Sequence, residues 1–265
     1  YDFSGGAVSL SNDGSILAVG ATGNDGNGNG AGHVRVYKYA NNTWLQMGSD
    51  IDGEASGDLF GSSVSLSGDG NVLAVGATEN DGNGSKSGQV RIFAFNNGTW
   101  AQRGSDIDGE NIGDQFGTSV SLSNDGSIVA IGSRQNSGNG INAGHVRVYE
   151  YNNNNWSQLG SDIDGEAAYD FSGGAVSLSD DGSILAIGAT GNDGNGVESG
   201  HTRVYKFLNS SWSQLGSDID GESTSDWSGG SVSLSGDGGI LAIGAISNDG
   251  NGNNTNAGHV RVYEL

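Results

Sequence analysis

Carboxylates, imidazoles and guanidiniums return along this chain at fixed intervals, and they are the groups in it that could do chemistry. Four loops read Asp-x-Asp-Gly-Glu, at 50–54, 106–110, 162–166 and 218–222, and each leads to one further acid, Asp58, Asp114, Asp170 or Asp226. Oxygen-rich loops of this kind hold the ligand types of a calcium site, with Asp106, Asp108, Glu110 and Asp114 as a representative set. They lack the full register of a calcium-binding loop, so capping of turns and pairing with arginine are the competing use of the same acids. Calcium is the one cofactor they suggest, and no other is expected.

Arg35, Arg91, Arg147, Arg203 and Arg261 hold one position in every copy of the repeat and make up half of the ten basic residues. In a chain of formal charge −21 they are expected to be structural ion-pair partners of carboxylates, from blade to blade or from strand to loop. His33, His145, His201 and His259 stand two residues earlier, with Gln89 in the second copy. Such a series could bind metal or sense pH, and a plain strand-edge role is the expected one. A nucleophile elbow, a zinc-protease helix motif, a phosphate loop and cysteine are all absent. The acids and histidines also repeat evenly, whereas active sites break symmetry, so no catalytic residue is expected. One patch is asymmetric: Ser133, Arg134, Gln135 and Ser137 replace the usual Ala-x-x-Asn-Asp, and this reads as drift.

Asn-x-Ser/Thr triplets are the remaining chemical signal. Asn41, Asn97, Asn155 and Asn209 fall in the turn before the fourth strand of each complete repeat, at what the pattern makes one structural place, and Asn83 and Asn253 lie in longer loops. These six are expected glycosylation sites.

The element that positions all of this is FGSSVSLSGDGNVLAVGA, residues 60–77, present in five copies. Alternating apolar residues, a Ser-x-Asp-Gly turn and a second apolar run make a tight hairpin, strands A and B. A Gly/Asn-rich loop, an alternating strand C such as His-Val-Arg-Val-Tyr, an Asn-rich turn and a strand D opening on Trp44, Trp100, Trp156 or Trp212 complete the unit. No helical period appears. Four-stranded units with two apolar faces need neighbours on both sides, which predicts an all-β fold: a single-domain β-propeller over residues 1–265, with five four-stranded antiparallel blades at about 1–51, 58–107, 114–163, 170–219 and 226–265. The last blade lacks its outer strand. Its open edge, between Gly258 and Leu265, is expected to recruit a strand from a like subunit or from other repeats of the same chain.

Asp58-Leu-Phe-Gly61 and Asp114-Gln-Phe-Gly117, with Leu73-Ala-Val-Gly-Ala77 and Gly88-Gln-Val-Arg-Ile-Phe93, resemble the FG-GAP repeat of integrin α-subunit propellers and some lectins. The likeness runs through the whole chain. Phe-Gly gives way to Phe3-Ser4, Phe171-Ser172 and Trp227-Ser228, and the family's calcium loop between strands A and B is reduced to a bare turn such as Gly68-Asp69-Gly70, so the resemblance brings no metal site with it.

The acidic charge excludes nucleic acid as a partner, and no apolar run is long enough for a membrane-spanning helix. A start at Tyr1 rather than Met fits a processed chain whose signal peptide is gone. Together with the triplets this predicts a secreted, extracellular glycoprotein, not an enzyme, acting as a structural or adhesive module of a cell surface, matrix or fibre. The alternative is a lectin-like propeller with one shallow sugar site per blade. Glycans and extracellular proteins are its expected partners.

Overall fold

The computed structural model describes residues 1–250 and 256–265. Among these every regular element is a β-strand, and no helix is long and apolar enough to cross a membrane. The fold is an all-β propeller type with five blades, one antiparallel sheet per repeat. The chain divides into two compact units, residues 1–129 with 149–157 and residues 130–148 with 158–265.

In the first unit the first blade runs Ser4–Leu10 (A), Ile16–Ala21 (B), His33–Ala40 (C) and a D strand in two pieces, Thr43–Gln46 and Ile51–Asp52. The second blade repeats it as Phe60–Leu66, Val72–Ala77, Gln89–Asn96, Thr99–Gln102 and Ile107–Asp108. In the second unit the fourth blade runs Ser172–Leu178, Ile184–Ala189, His201–Leu208, Ser211–Gln214 and Ile219–Asp220, and the fifth has Ser228–Leu234, Ile240–Ala245 and His259–Glu264. The third blade carries the same five segments, from Ser119–Leu122 to Ile163–Asp164. Strand D, expected as one strand, is thus interrupted by Gly-Ser-Asp, and both pieces pair with strand C. The next blade's tryptophan docks at this interruption: Trp100 Nε1–H donates to Met47 O at 2.8 Å, and Trp212 Nε1–H to Leu159 O at 2.8 Å.

Each A–B hairpin is closed by its aspartate. Asp13 Oδ1 accepts from Ser11 Oγ–H and from the Ser15 N–H, and Asp69 and Asp181 repeat the arrangement. These bonds hold the Asp13 and Asp181 carboxyls below the usual carboxylate range and occupy the oxygens a metal would need. Strands B and C supply the core. Val34, Val36, Leu73, Val75 and Phe60 are buried together in the first unit, and Ala186, Val204, Leu241 and Ile243 in the second. Each fully buried Val, Leu or Ile contributes roughly 1.5–3 kcal/mol. Successive blades approach backbone to backbone at the glycines of strands B and A. A Cβ on Gly188 would lie 2.0 Å from Gly229 O, so no other residue fits there. In the fifth blade strand C pairs with strand B alone among the described residues, and Val260 and Val262 on it are 67% and 64% exposed.

Candidate functional site

Where strand A begins, the blades differ by one residue, and that difference builds a cavity. The capping acids Asp58, Asp170 and Asp226 are buried and accept backbone N–H groups of the preceding loop. The residue after each is held at positive φ: Leu59 at 55°, Phe171 at 56° and Trp227 at 54°. The residue after that faces the core, as the parallel bridges Gly32 to Phe60 and Gly200 to Ser228 fix the register. Phe60 is fully buried there, with its ring against Phe93 and under the Arg91 guanidinium at 4.4 Å. Phe3-Ser4, Phe171-Ser172 and Trp227-Ser228 are therefore not variants of Phe-Gly in register. Ser172 and Ser228 take the place of the buried Phe, and the aromatic ring one position earlier turns outward, since a one-residue shift along a strand reverses its face.

In the second unit Phe171 and Trp227 line an open cavity of about 350 Å³ with Arg134, Thr190, Glu198 and Ile246. The Arg134 guanidinium lies 4.9 Å from the centre of the Phe171 ring. Trp227 Nε1–H donates to Glu198 Oε2 at 3.2 Å, which aims the carboxylate, and the Glu198 N–H is held by Asp193 Oδ1 at 2.8 Å. In the first unit the corresponding positions bond one another: Lys86 Nζ pairs with Glu79 Oε2 at 2.6 Å, and Gln115 Nε2 donates to Glu79 Oε1 at 3.0 Å. A cation, a carboxylate and two aromatic rings around an open space can bind an anionic or polyhydroxylated small molecule and move a proton. Arg134, Glu198 and Trp227 were not singled out as site residues from the sequence. The signal was the break in the repeat at Arg134, where the other copies have Thr22, Thr78, Thr190 and Ile246.

The five arginines do not share one partner. Arg35 and Arg147 grip the aspartate of their own blade: Arg35 donates to both oxygens of Asp50, and Arg147 Nε and Nη2 bond Asp162 at 3.0 and 3.1 Å. Arg35's hydrogen bonds hold the Asp50 carboxyl low. Arg91, Arg203 and Arg261 instead donate to the backbone carbonyls of Asp52, Asp164 and Asp220 in the preceding blade, with Glu54, Glu166 and Glu222 at 3.4, 3.5 and 3.9 Å.

Asp106, Asp108 and Asp114 are spread over separate duties. Gln102 donates to Asp106 and Gln89 to Asp108, while the buried Asp114 accepts the Asn111 N–H. Among the described residues, none of these three aspartates belongs to a group of three or more ligand atoms close enough to share an ion. A different set does converge in the second unit: Glu166, His201 and Asp218. His201 Nδ1 stands 3.9 Å from Glu166 Oε2 and 3.7 Å from Asp218 Oδ2. Burial, aided by Arg203, lowers the His201 pKa and keeps the imidazole neutral.

Asn41, Asn97 and Asn209 sit at the exposed C–D turns, each at positive φ. Asn155 does not share their place. The third blade's turn is made by Asn153 and Asn154, and Asn155 is the first residue of strand D, beside the buried Trp156. Asn83 spends an N–H on Gly109 O at 2.9 Å, as Asn27 and Asn195 do on Gly53 and Gly221. Asn253 lies outside the described residues.

Residues 51–93 and 107–149 match the family model of the FG-GAP repeat. No curated protein sequence matches the chain. Similar solved structures include hydrazine synthase of Kuenenia stuttgartiensis (TM-score 0.59, 15% identity, 91% of this chain and 61% of that one). The periplasmic gluconolactonase PpgL of Pseudomonas aeruginosa gives 0.57 and 16% over 89% of this chain and 64% of that one. A putative 6-phosphogluconolactonase of Bacteroides uniformis gives 0.50 and 11% over 98% and 88%. The chain thus spans under two thirds of the length of the first two, 61% and 64%. These propellers are enzymes, which corrects the expectation of a non-enzymatic structural, adhesive or lectin-like module. That expectation rested on missing motifs and even repetition, and the repetition fails at Arg134, Phe171, Glu198 and Trp227.

Proposed function

We propose that the chain is the propeller of an enzyme that hydrolyses a small cyclic ester of the sugar-lactone class in the cavity of its second unit. The observation that carries this reading is the replacement of the repeat's small residue by Arg134, placed with Glu198 on one open cavity. Glu198 takes a proton from water as the water oxygen attacks the lactone carbonyl. Arg134 faces the negative charge that gathers on the carbonyl oxygen. The ring C–O bond then breaks, and the leaving oxygen recovers the proton from Glu198 to give the open hydroxy acid. Trp227 orients Glu198 through its indole N–H and, with Phe171, offers an aromatic wall to the C–H face of a sugar ring. The lactonase structures of the same fold and the exposed Asn41, Asn97 and Asn209, which suit a location outside the cytoplasm, support the reading.

The test is hydrolysis of glucono-δ-lactone measured against the spontaneous rate. Arg134→Thr restores the residue of three other copies and is expected to lower kcat/KM about 100-fold, with Glu198→Gln lowering kcat at least as far. A wild-type rate equal to that of buffer, or an unchanged rate in both variants, overturns the proposal.

A further inference from the structure

His201 is buried without being satisfied. Its side chain is 1% exposed, and neither Nδ1 nor Nε2 has a hydrogen-bond partner. An imidazole in that state has given up its hydration and received nothing in exchange. Two carboxylate oxygens face its Nδ1 at 3.7 and 3.9 Å, too far for hydrogen bonds. We propose that Glu166 Oε2, His201 Nδ1 and Asp218 Oδ2 bind a divalent transition-metal ion of the zinc class, with water completing the coordination.

Each carboxylate is already oriented for this by its other oxygen. Arg203 Nη1 stands 3.5 Å from Glu166 Oε1, and Gln214 Nε2 donates to Asp218 Oδ1 at 2.6 Å. That leaves Oε2 and Oδ2 directed at the imidazole, the arrangement by which outer partners fix metal ligands. Metal–ligand bonds of about 2.0–2.2 Å in tetrahedral geometry set neighbouring ligands roughly 3.3–3.6 Å apart, so small side-chain rotations close the observed gaps. The carboxylates are 44% and 32% exposed, which gives an ion a way in and leaves room for water. Two acids against the single cation Arg203 leave a net negative charge for a dication to neutralise. An imidazole in the set favours zinc-class ions over calcium, which takes oxygen ligands throughout.

The second blade shows how the repeat manages without an ion. Gln89 replaces the histidine there, and its Nε2 donates to Asp108 at 3.2 Å and reaches Glu54 at 3.5 Å. Glu54 is the counterpart of Glu166 and Asp108 that of Asp220, while Asp106, the counterpart of Asp218, is held by Gln102. His201→Gln is therefore a substitution the fold already contains.

The experiment is calorimetric titration of chelator-treated protein with ZnCl2, alongside the visible spectrum with Co2+, on wild type, His201→Gln and Asp218→Asn. Circular dichroism confirms that the metal-free variants fold. The expected result is that wild type binds one more equivalent of Zn2+ than His201→Gln, that Asp218→Asn weakens this equivalent at least tenfold, and that the Co2+ spectrum loses the matching intensity. Equal stoichiometry and affinity in wild type and both variants, no Zn2+ bound by wild type, or equal binding of Ca2+ would overturn the proposal. The site shares no residue with the lactone cavity, so either proposal can fail while the other stands.

Discussion

Replacing Arg147 by Ala removes two charge-assisted hydrogen bonds at 3.0 and 3.1 Å from the Asp162 carboxylate. The arginine side chain is 8% exposed and the aspartate 32%, so water reaches the abandoned carboxylate and recovers part of the loss. The expected destabilisation at neutral pH is about 2 kcal/mol, below the 3–5 typical of breaking a fully buried pair. This corresponds to a fall in Tm of roughly 6–10 °C for a unit of this size. Burial works to raise the Asp162 carboxyl, and the hydrogen bonds from Arg147 and Gln158 outweigh it and hold the group below its ordinary value. A depressed carboxyl stabilises the fold fully above the unfolded-state pKa of about 3.9, and that contribution disappears as pH falls through the folded-state value. The gap between wild type and variant should therefore shrink as pH is lowered from about 5 to 2. Arg91 bonds the Asp52 carbonyl, which does not titrate, and has Glu54 at 3.4 Å, so the cost of Arg91→Ala should be lost only in part on acidification. Urea unfolding followed by tryptophan fluorescence at a series of pH values measures both. A neutral-pH loss below about 0.5 kcal/mol, or an Arg147 gap constant down to pH 2, would refute the reasoning.

Two further outcomes follow from the geometry. Gly160→Ala should destabilise the second unit by at least about 2 kcal/mol in thermal unfolding, because the position has φ of +81° and a Cβ there would stand 2.8 Å from Trp212 Cδ1; a variant as stable as wild type would mean that Trp212 does not dock as described. Expressed through a eukaryotic secretory host, the protein should carry glycan at Asn41, Asn97 and Asn209 and none at Asn155, whose triplet is fixed in strand D around the buried Trp156. Peptide mapping by mass spectrometry that finds Asn155 fully occupied would contradict this.

The blades were legible in the sequence because the signals for them are local. Alternation, the Ser-x-Asp-Gly turn and the evenly spaced tryptophans each fix a strand or hairpin without reference to the rest of the chain. The interruption of strand D was not legible, nor was the docking of the following blade's indole against it, because that contact joins residues 53 apart in the chain. The register of Phe171-Ser172 and Trp227-Ser228 was missed for a related reason. The aromatic and the buried position do not coincide in these copies, and the bridge from Gly200 to Ser228 fixes which residue faces inward. The histidines were visible as a series, but what separates His201 from a plain strand-edge residue is burial without a partner, a property no spacing encodes.

The cavity follows from the same logic that makes the fold repeat. The residue after each capping aspartate is held at positive φ by the loop before it and the strand after it, whether it is Leu59, Gln115, Phe171 or Trp227. Because the backbone is fixed by its neighbours, the side chain there contributes little to folding and is free to vary. The same holds at the position of Arg134, where Thr and Ile also occur, and at that of Glu198, where Gly30, Lys86 and Asn142 stand in other copies. In the first unit the variable positions hold Glu79, Lys86 and Gln115, which bond one another. In the second they hold a cation, an acid and two outward rings that line an open cavity. The positions that vary most between copies are thus the ones that line the cavity of the second unit.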